Sequence, residues 1–202
     1  METFFTLVRH TKPAVQGICY GSLDVPLSEE GLEHARTIAA ELAGEPFAAI
    51  YTSPLRRCAE TARMLAEGRE CPLETLDAVR ELNFGRFEGH TYDDLARDYP
   101  ELYRRWMESP TEVEFPGGES FAVMRRRVLT GVRELSVRHA GQTIALVTHG
   151  GVIRTLLVEA QGMDCRRMFE IDLPYGAIRR VALPSDPAAP LFAPAATTPR
   201  PR

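Results

Sequence analysis

Three short runs suited to buried strands, each stopping at a polar or ionisable residue, constrain this chain more than any other feature. The run Phe4-Phe5-Thr6-Leu7-Val8 has aromatic and β-branched members and ends on Arg9-His10, as a buried strand ends at the margin of a sheet. Residues 48–52 form a second run and lead into Ser53-Pro54, where a capping hydroxyl precedes a proline at a first helical position. A helix is expected from there to about Glu67, with Gly68 beyond it. Residues 143–148 form the third run, followed by His149-Gly150-Gly151 and a helical stretch over residues 152–160. Strands alternating with helices imply an α/β fold with a largely parallel sheet, in which ligands bind where strands end and helices begin.

Between the first two runs, Ser28 caps a helix whose apolar positions Leu32, Ala35, Ile38, Ala39 and Leu42 follow helical spacing, and Gly44 and Pro46 stop it. Two further helices are expected over residues 92–108 and 119–138, separated by a loop containing Pro and Gly at 109–118. With 202 residues, 44% hydrophobic and 26% charged, the chain has the usage of an ordinary globular protein, and one domain is expected over residues 1–183. Residues 184–202 are rich in Pro and Ala and are expected to be disordered or extended.

A net charge of −4 offers no global basic field for nucleic acid, and Arg125-Arg126-Arg127 and Arg166-Arg167 are read as solvated helix faces. The first residues lack the pattern of a secretory signal and no apolar run approaches a membrane span, so a cytoplasmic location without a membrane partner is expected. Cys19, Cys58, Cys71 and Cys165 stand far apart without metal-ligand spacing, and are expected to be thiols, with no metal site and no cofactor.

The strand ends deliver Arg9-His10, then Ser53 with Arg56 and Arg57 in the following helical turn, then His149. Such a set describes an anion site: arginine presents a planar fork of donors, and helix N-termini add partial positive charge. The expected partner is a small phosphorylated metabolite. His34, His90 and His139 lack partner spacing and are read as solvated or core residues.

Taken together, Leu7-Val8-Arg9-His10-Thr11, Thr52-Ser53-Pro54-Leu55-Arg56-Arg57-Cys58, Glu81-Leu82-Asn83-Phe84-Gly85 and Val147-Thr148-His149-Gly150-Gly151 resemble the ordered motifs of the histidine phosphatase superfamily, also called phosphoglycerate-mutase-like. The resemblance spans roughly residues 4–183 and implies a three-layer sandwich, a mostly parallel sheet flanked by helices. It implies a metal-independent phosphatase in which His10 is the nucleophile, Arg9, Arg57, His149 and Gly150 hold the phosphoryl oxygens, and Glu81 donates a proton. The family pattern, with a small residue after the phosphate-binding arginine, selects Arg57 over Arg56. These roles agree with the chemistry, since neutral imidazole is a competent nucleophile near pH 7 and an alkoxide leaving group needs a general acid. A carboxyl serves as that acid at neutral pH when burial or a nearby anion raises its pKa.

Thr11 stands where the family usually has glycine. That departure, with Gly17-Ile18-Cys19-Tyr20-Gly21-Ser22-Leu23-Asp24-Val25-Pro26-Leu27 and the stretch from Glu81 to Gly89, resembles the α-ribazole phosphatase branch, which removes the 5′-phosphate of α-ribazole phosphate in cobalamin synthesis. Thr11, Tyr20 and Gly21 are therefore expected to line the substrate site, and Tyr20, Phe84 and Phe87 to offer apolar surface to a flat base, with core packing an equal alternative for the two phenylalanines. Pro116-Gly117-Gly118-Glu119-Ser120 resembles an element at the pocket entrance of family phosphatases and also fits a turn before a helix cap, so the role of Glu119 stays open. A phosphoglycerate mutase is disfavoured by the short segment of residues 89–117, a sugar or protein phosphatase on the same scaffold would share the core motifs, and a silent phosphate-binding module would need neither nucleophile nor acid. The pattern is compatible with a homodimer.

Overall fold

The three apolar runs become adjacent strands in the middle of a five-stranded sheet. The structure is a computed structural model that describes residues 1–192. Its strands are β1 (Glu2–Arg9), β2 (Ile50–Thr52), β3 (Leu73–Thr75), β4 (Thr143–Thr148) and β5 (Ile178–Pro184), in the order β3-β2-β4-β1-β5. The pairs β1/β4, β2/β4 and β2/β3 are parallel, and β5 runs antiparallel to β1.

Alternation along the central strands divides the core into two layers. Phe5 and Leu7 of β1, with Ile144 and Leu146 of β4, face α5 (Phe121–Arg138) and α6 (Gly150–Ala160), which supply Val128, Val132, Leu135, Ile153 and Leu156. Val8, Ala145 and Val147 face α1 (Glu29–Glu41) and α2 (Arg56–Ala66), which supply Ile38, Cys58, Ala62 and Leu65. Both faces of the sheet are covered, which is why its central strands read as near-continuous apolar runs. The three-layer α/β sandwich with a mostly parallel sheet is the one expected from the sequence.

Several boundaries differ from expectation for local reasons. The helix expected over 92–108 is two, α3 (Tyr92–Asp98) and α4 (Pro100–Glu108), because Pro100 drives the residue before it out of the helical region; Tyr99 sits at φ −133°, ψ 51°. Helix α2 starts at Arg56, not Pro54, and Leu55 occupies its cap position without a side-chain bond, so Ser53 is not the cap. Helix α6 starts two residues early, at Gly150, with His149 in the cap position. Strands β3 and β5 were not foreseen: both are edge strands without an apolar run, β3 being fully exposed and β5 carrying Arg179 and Arg180. Pro184, where the Pro/Ala-rich composition begins, belongs to β5. Beyond it, the Ser185 hydroxyl bonds that of Thr3 and Arg133 donates to the carbonyls of Asp186 and Ala189, so residues 185–189 lie fixed against the body. The rest of the tail expected to be disordered, residues 193–202, lies outside the described residues. Among the described residues, no helix is long and apolar enough to cross a membrane.

The Ser28 hydroxyl accepts the Gly31 N–H at 3.0 Å and caps α1 as expected. Substituting Ser28→Ala is expected to lower stability by about 1 kcal/mol, roughly 2–4 °C in Tm for a chain of this size, with kcat/KM unchanged. A thermal melt and a turnover assay on the same preparation check this.

Candidate active site

Register brings the three strand ends to one level. Arg9 pairs with Thr148 and Thr52 with Val147, so His10, Ser53 and His149 emerge side by side from β1, β2 and β4. The N–H of His10 donates to Thr148 and that of Ser53 to Val147, continuing the ladder one residue beyond the strands. The imidazoles of His10 and His149 lie with centroids 5.3 Å apart at 64°, both buried. His10 Nδ1 is 2.8 Å from the Thr11 carbonyl. A carbonyl only accepts, so the neutral ring carries its proton on Nδ1 and keeps a lone pair on Nε2. His149 Nε2 is 2.8 Å from the Ser53 hydroxyl, which is where the hydroxyl expected to cap α2 is turned.

Burial holds both histidines well below the ordinary value of 6.5, reinforced by the positive charge of Arg57 and more weakly by Arg9; the Thr11 carbonyl works in the opposite direction on His10, and His10 itself adds to the lowering on His149. The Cys58 thiol, 3.4 Å from His149 Nε2, is pushed up by burial and stays protonated.

Arg57 is completely buried and donates through Nη2 to the Gly21 carbonyl at 2.6 Å and through Nη1 to that of Leu23 at 2.9 Å. Arg9 donates to the Leu173 carbonyl, and its guanidinium lies 4.2 Å from the centre of the Tyr175 ring. In both arginines Nε is buried without a hydrogen-bond partner among the described residues. Arg56, by contrast, is exposed and pairs with Glu60.

Glu81 stands across the same cavity, of about 340 Å³, which His10, Arg9 and Arg57 also line. Its carboxylate accepts the N–H of Leu82 at 3.0 Å and of Gly151, in the first turn of α6, at 2.9 Å. The approach requires glycine, since a Cβ on residue 151 would stand 2.4 Å from Glu81 Oε1. Behind Glu81, Arg127 binds the carbonyls of Ala78, Arg80 and Glu81 and pairs with Glu119, whose carboxylate also accepts the Asn83 N–H. Glu119 thus braces the loop that carries Glu81.

Gly150 and Tyr20 line the cavity. Thr11 and Gly21 are placed differently, and of the two phenylalanines one packs in the core. Thr11 is fully buried and its hydroxyl donates to the Gly31 carbonyl at 2.7 Å, away from the cavity walls. Gly21 packs on the Leu82 carbonyl, which its Cβ would meet at 1.7 Å, and serves Arg57 through its own carbonyl. Phe87 is in the core against Tyr99, Trp106 and Phe115, while Phe84 does reach the cavity. His149 is wholly buried beside His10, its ring centroid 5.3 Å away.

Arg154 and Tyr175 are among the wall residues that escaped the sequence reading. Arg154 lies one helical turn beyond Gly150, a spacing that helical periodicity on α6 reveals; burial and the charge of Arg9 lower its pKa. Tyr175, in the loop before β5, bonds the Tyr20 hydroxyl at 2.7 Å and lies tilted against His10 with ring centroids 5.6 Å apart, and no local pattern announces it.

A model of the histidine phosphatase superfamily (branch 1) matches residues 5–189. The chain is 36% identical over 165 residues to phosphoserine phosphatase 1 of Hydrogenobacter thermophilus, covering 81% of this chain and 78% of that one. It is 30% identical over 172 residues to the adenosylcobalamin/alpha-ribazole phosphatase of Salmonella typhimurium, covering 84% and 85%. Among solved structures, YhfR of Bacillus stearothermophilus superposes with a TM-score of 0.84 at 30% identity over 88% of this chain and 90% of that one. Matched over nearly its whole described length, with relatives that are themselves phosphatases, the chain belongs to the histidine phosphatase superfamily and is a phosphatase.

Proposed function

We propose that the chain hydrolyses phosphomonoesters through a phosphohistidine formed on His10. The observation that carries this is a neutral imidazole with its proton held on Nδ1 by Thr11, beside two guanidinium groups whose buried Nε donors have no partner among the described residues. The Nε2 lone pair attacks phosphorus while the ester P–O bond breaks, and protonated Glu81 gives its proton to the leaving oxygen. Glu81, now a carboxylate, takes a proton from water as the water oxygen attacks the phosphohistidine; the P–N bond breaks and His10 and inorganic phosphate are released. Arg9, Arg57, His149 and the N–H of Gly150 at the start of α6 stabilise charge on the transferring group's oxygens.

For the substrate, α-ribazole 5′-phosphate is supported by the outer wall, where Phe84, Tyr92, Trp106, Phe121 and Met168 offer apolar and aromatic surface to a flat base, and by the relative named for that activity. A second reading is phosphoserine. It is favoured by Arg154, a guanidinium on the cavity wall that suits a carboxylate, and by the relative named as a phosphoserine phosphatase. Both place the enzyme on small metabolites in the cytoplasm, which the four free cysteines support.

A turnover panel in excess EDTA, with α-ribazole 5′-phosphate, phosphoserine, 3-phosphoglycerate and ribose 5-phosphate, is expected to give undiminished activity and the highest kcat/KM on α-ribazole 5′-phosphate. If a competitor comes within about tenfold, only about 1.4 kcal/mol of transition-state binding separates the two and the substrate assignment fails. His10→Ala is expected to abolish turnover. Glu81→Gln is expected to slow alkyl phosphates by about 10²–10⁴ while sparing p-nitrophenyl phosphate, whose leaving group needs little protonation. Equal losses on both esters would remove Glu81 from the acid role.

The lowered histidines also predict a pH dependence of stability. A histidine whose folded pKa lies below its unfolded one binds fewer protons in the native state, so its full stability holds above about 6.5 and is lost as pH falls from there toward the folded value. Each such group costs up to about 1.4 kcal/mol by about pH 5.5. Urea midpoints at pH 7.5 and 5.5 are expected to differ less in His10→Ala than in the unsubstituted protein.

A further inference from the structure

Glu88 accounts for more hydrogen bonds than any group its position outside the cavity would require. Its Oε1 accepts the N–H of Ser22 at 2.8 Å, that of Phe84 at 3.0 Å and the Ser22 hydroxyl at 3.0 Å; its Oε2 accepts the N–H of Gly21 at 2.9 Å and of Leu23 at 3.0 Å. Three consecutive N–H groups therefore converge on one carboxylate. The carbonyls of that same segment are the ones that hold Arg57, Gly21 on Nη2 and Leu23 on Nη1. The peptide unit joining Gly21 to Ser22 thus has its N–H on Glu88 and its C=O on Arg57, standing between an anion and a cation that do not touch.

A peptide dipole held this way is polarised from both ends, and each hydrogen bond strengthens the other. It also supplies what Arg57 otherwise lacks, because the guanidinium is completely buried and its hydrogen-bond partners among the described residues are two neutral carbonyls. A buried cation needs compensation. With Nη1 and Nη2 each bonded to the loop, the guanidinium plane is fixed, and Nε is the nitrogen without a partner among the described residues.

We infer that Glu88 is a positioning residue for Arg57, acting through the Gly21–Ser22 peptide to set the plane of the guanidinium and so the affinity of the site for a phosphoryl group. The inference rests on the phosphate-holding role proposed for Arg57. Neutral glutamine at 88 would keep one acceptor oxygen and turn an amide donor toward backbone N–H groups, so one half of the cluster is lost and the loop carbonyls no longer stay on Arg57.

The test is calorimetric binding of orthovanadate, which reads the oxyanion site without turnover, with p-nitrophenyl and alkyl phosphate kinetics alongside. Glu88→Gln is expected to weaken vanadate binding by about tenfold, a change of about 1.4 kcal/mol, and to leave the ratio of alkyl to p-nitrophenyl turnover as in the unsubstituted protein. Glu88→Asp, which keeps the charge on a shorter arm, is expected to recover part of the loss. In an Arg57→Lys background, where the ammonium cannot span both carbonyls in one plane, Glu88→Gln is expected to change binding by less than about twofold, since residues acting through one another are not additive. An unchanged vanadate affinity in folded Glu88→Gln, or the full tenfold loss in both backgrounds, overturns the inference while leaving the phosphohistidine reading intact. Failure of the unsubstituted protein to bind vanadate overturns both. If Glu88→Gln does not fold by circular dichroism, Glu88→Asp is carried through the same cycle under the same criterion.

Discussion

A guanidinium taken wholly out of water is the constraint around which this site is arranged. Arg57 projects from the first turn of α2 into the protein, where an uncompensated cation would cost several kcal/mol. Its compensation comes from a loop far from α2 in sequence, through the carbonyls of Gly21 and Leu23 and the ring of Tyr20, 5.3 Å from the guanidinium carbon. That loop can reach Arg57 only by lying on the Leu82 carbonyl, where any side chain at position 21 would collide. Leu82 in turn follows Glu81, so the grip on one arginine and the placement of the carboxylate opposite belong to a single packing arrangement.

The same charge shapes the histidines. Burial and Arg57 act in one direction on His10 and His149, and the two rings stay neutral in a protein whose overall charge is negative. Glu81 is set against this positive field, with its carboxyl group bonded to the Gly151 N–H in the first turn of α6. Arg9 and Arg154 add two further guanidinium groups to the same wall, and each is covered by an aromatic ring, Tyr175 at 4.2 Å and Phe169 at 5.6 Å. Like charges crowded in this way are relieved by a dianion among them, which is the physical link between the shape of the cavity and phosphate chemistry.

Much of this was legible in the sequence because the central strands carry both signals at once. Residues 5–8 and 144–148 are buried on both faces, so their apolar character marks them as strands, and the polar residues that end them are the ones the sheet aligns. Strands β3 and β5 gave no such signal, since an edge strand half in water needs no apolar run. The misplacements of Thr11 and Gly21 have one source: a motif shows that a residue is near a site, but the direction of its side chain depends on what packs behind it. Thr11 turns to the Gly31 carbonyl, and Gly21 is required for its missing side chain. Tyr175 and Glu88 reach the site through contacts across 155 and 67 positions of sequence, which no local pattern encodes.

The helix break at Tyr99-Pro100 has a bearing on how such a protein can change over generations. The segment from α3 to the start of α5 contributes no strand, yet Tyr92, Trp106, Pro110 and Phe121 from it form the outer wall of the cavity, above His10 and the arginines. His10 and His149 follow directly from strands of the sheet, whereas this part consists of two short helices and a loop whose buried residues Leu95, Val113 and Phe115 join the core. Substitutions there can redraw the shape offered to a leaving group without disturbing the sheet, so a lineage built on this scaffold can exchange one phosphate ester for another while inheriting its reaction unchanged.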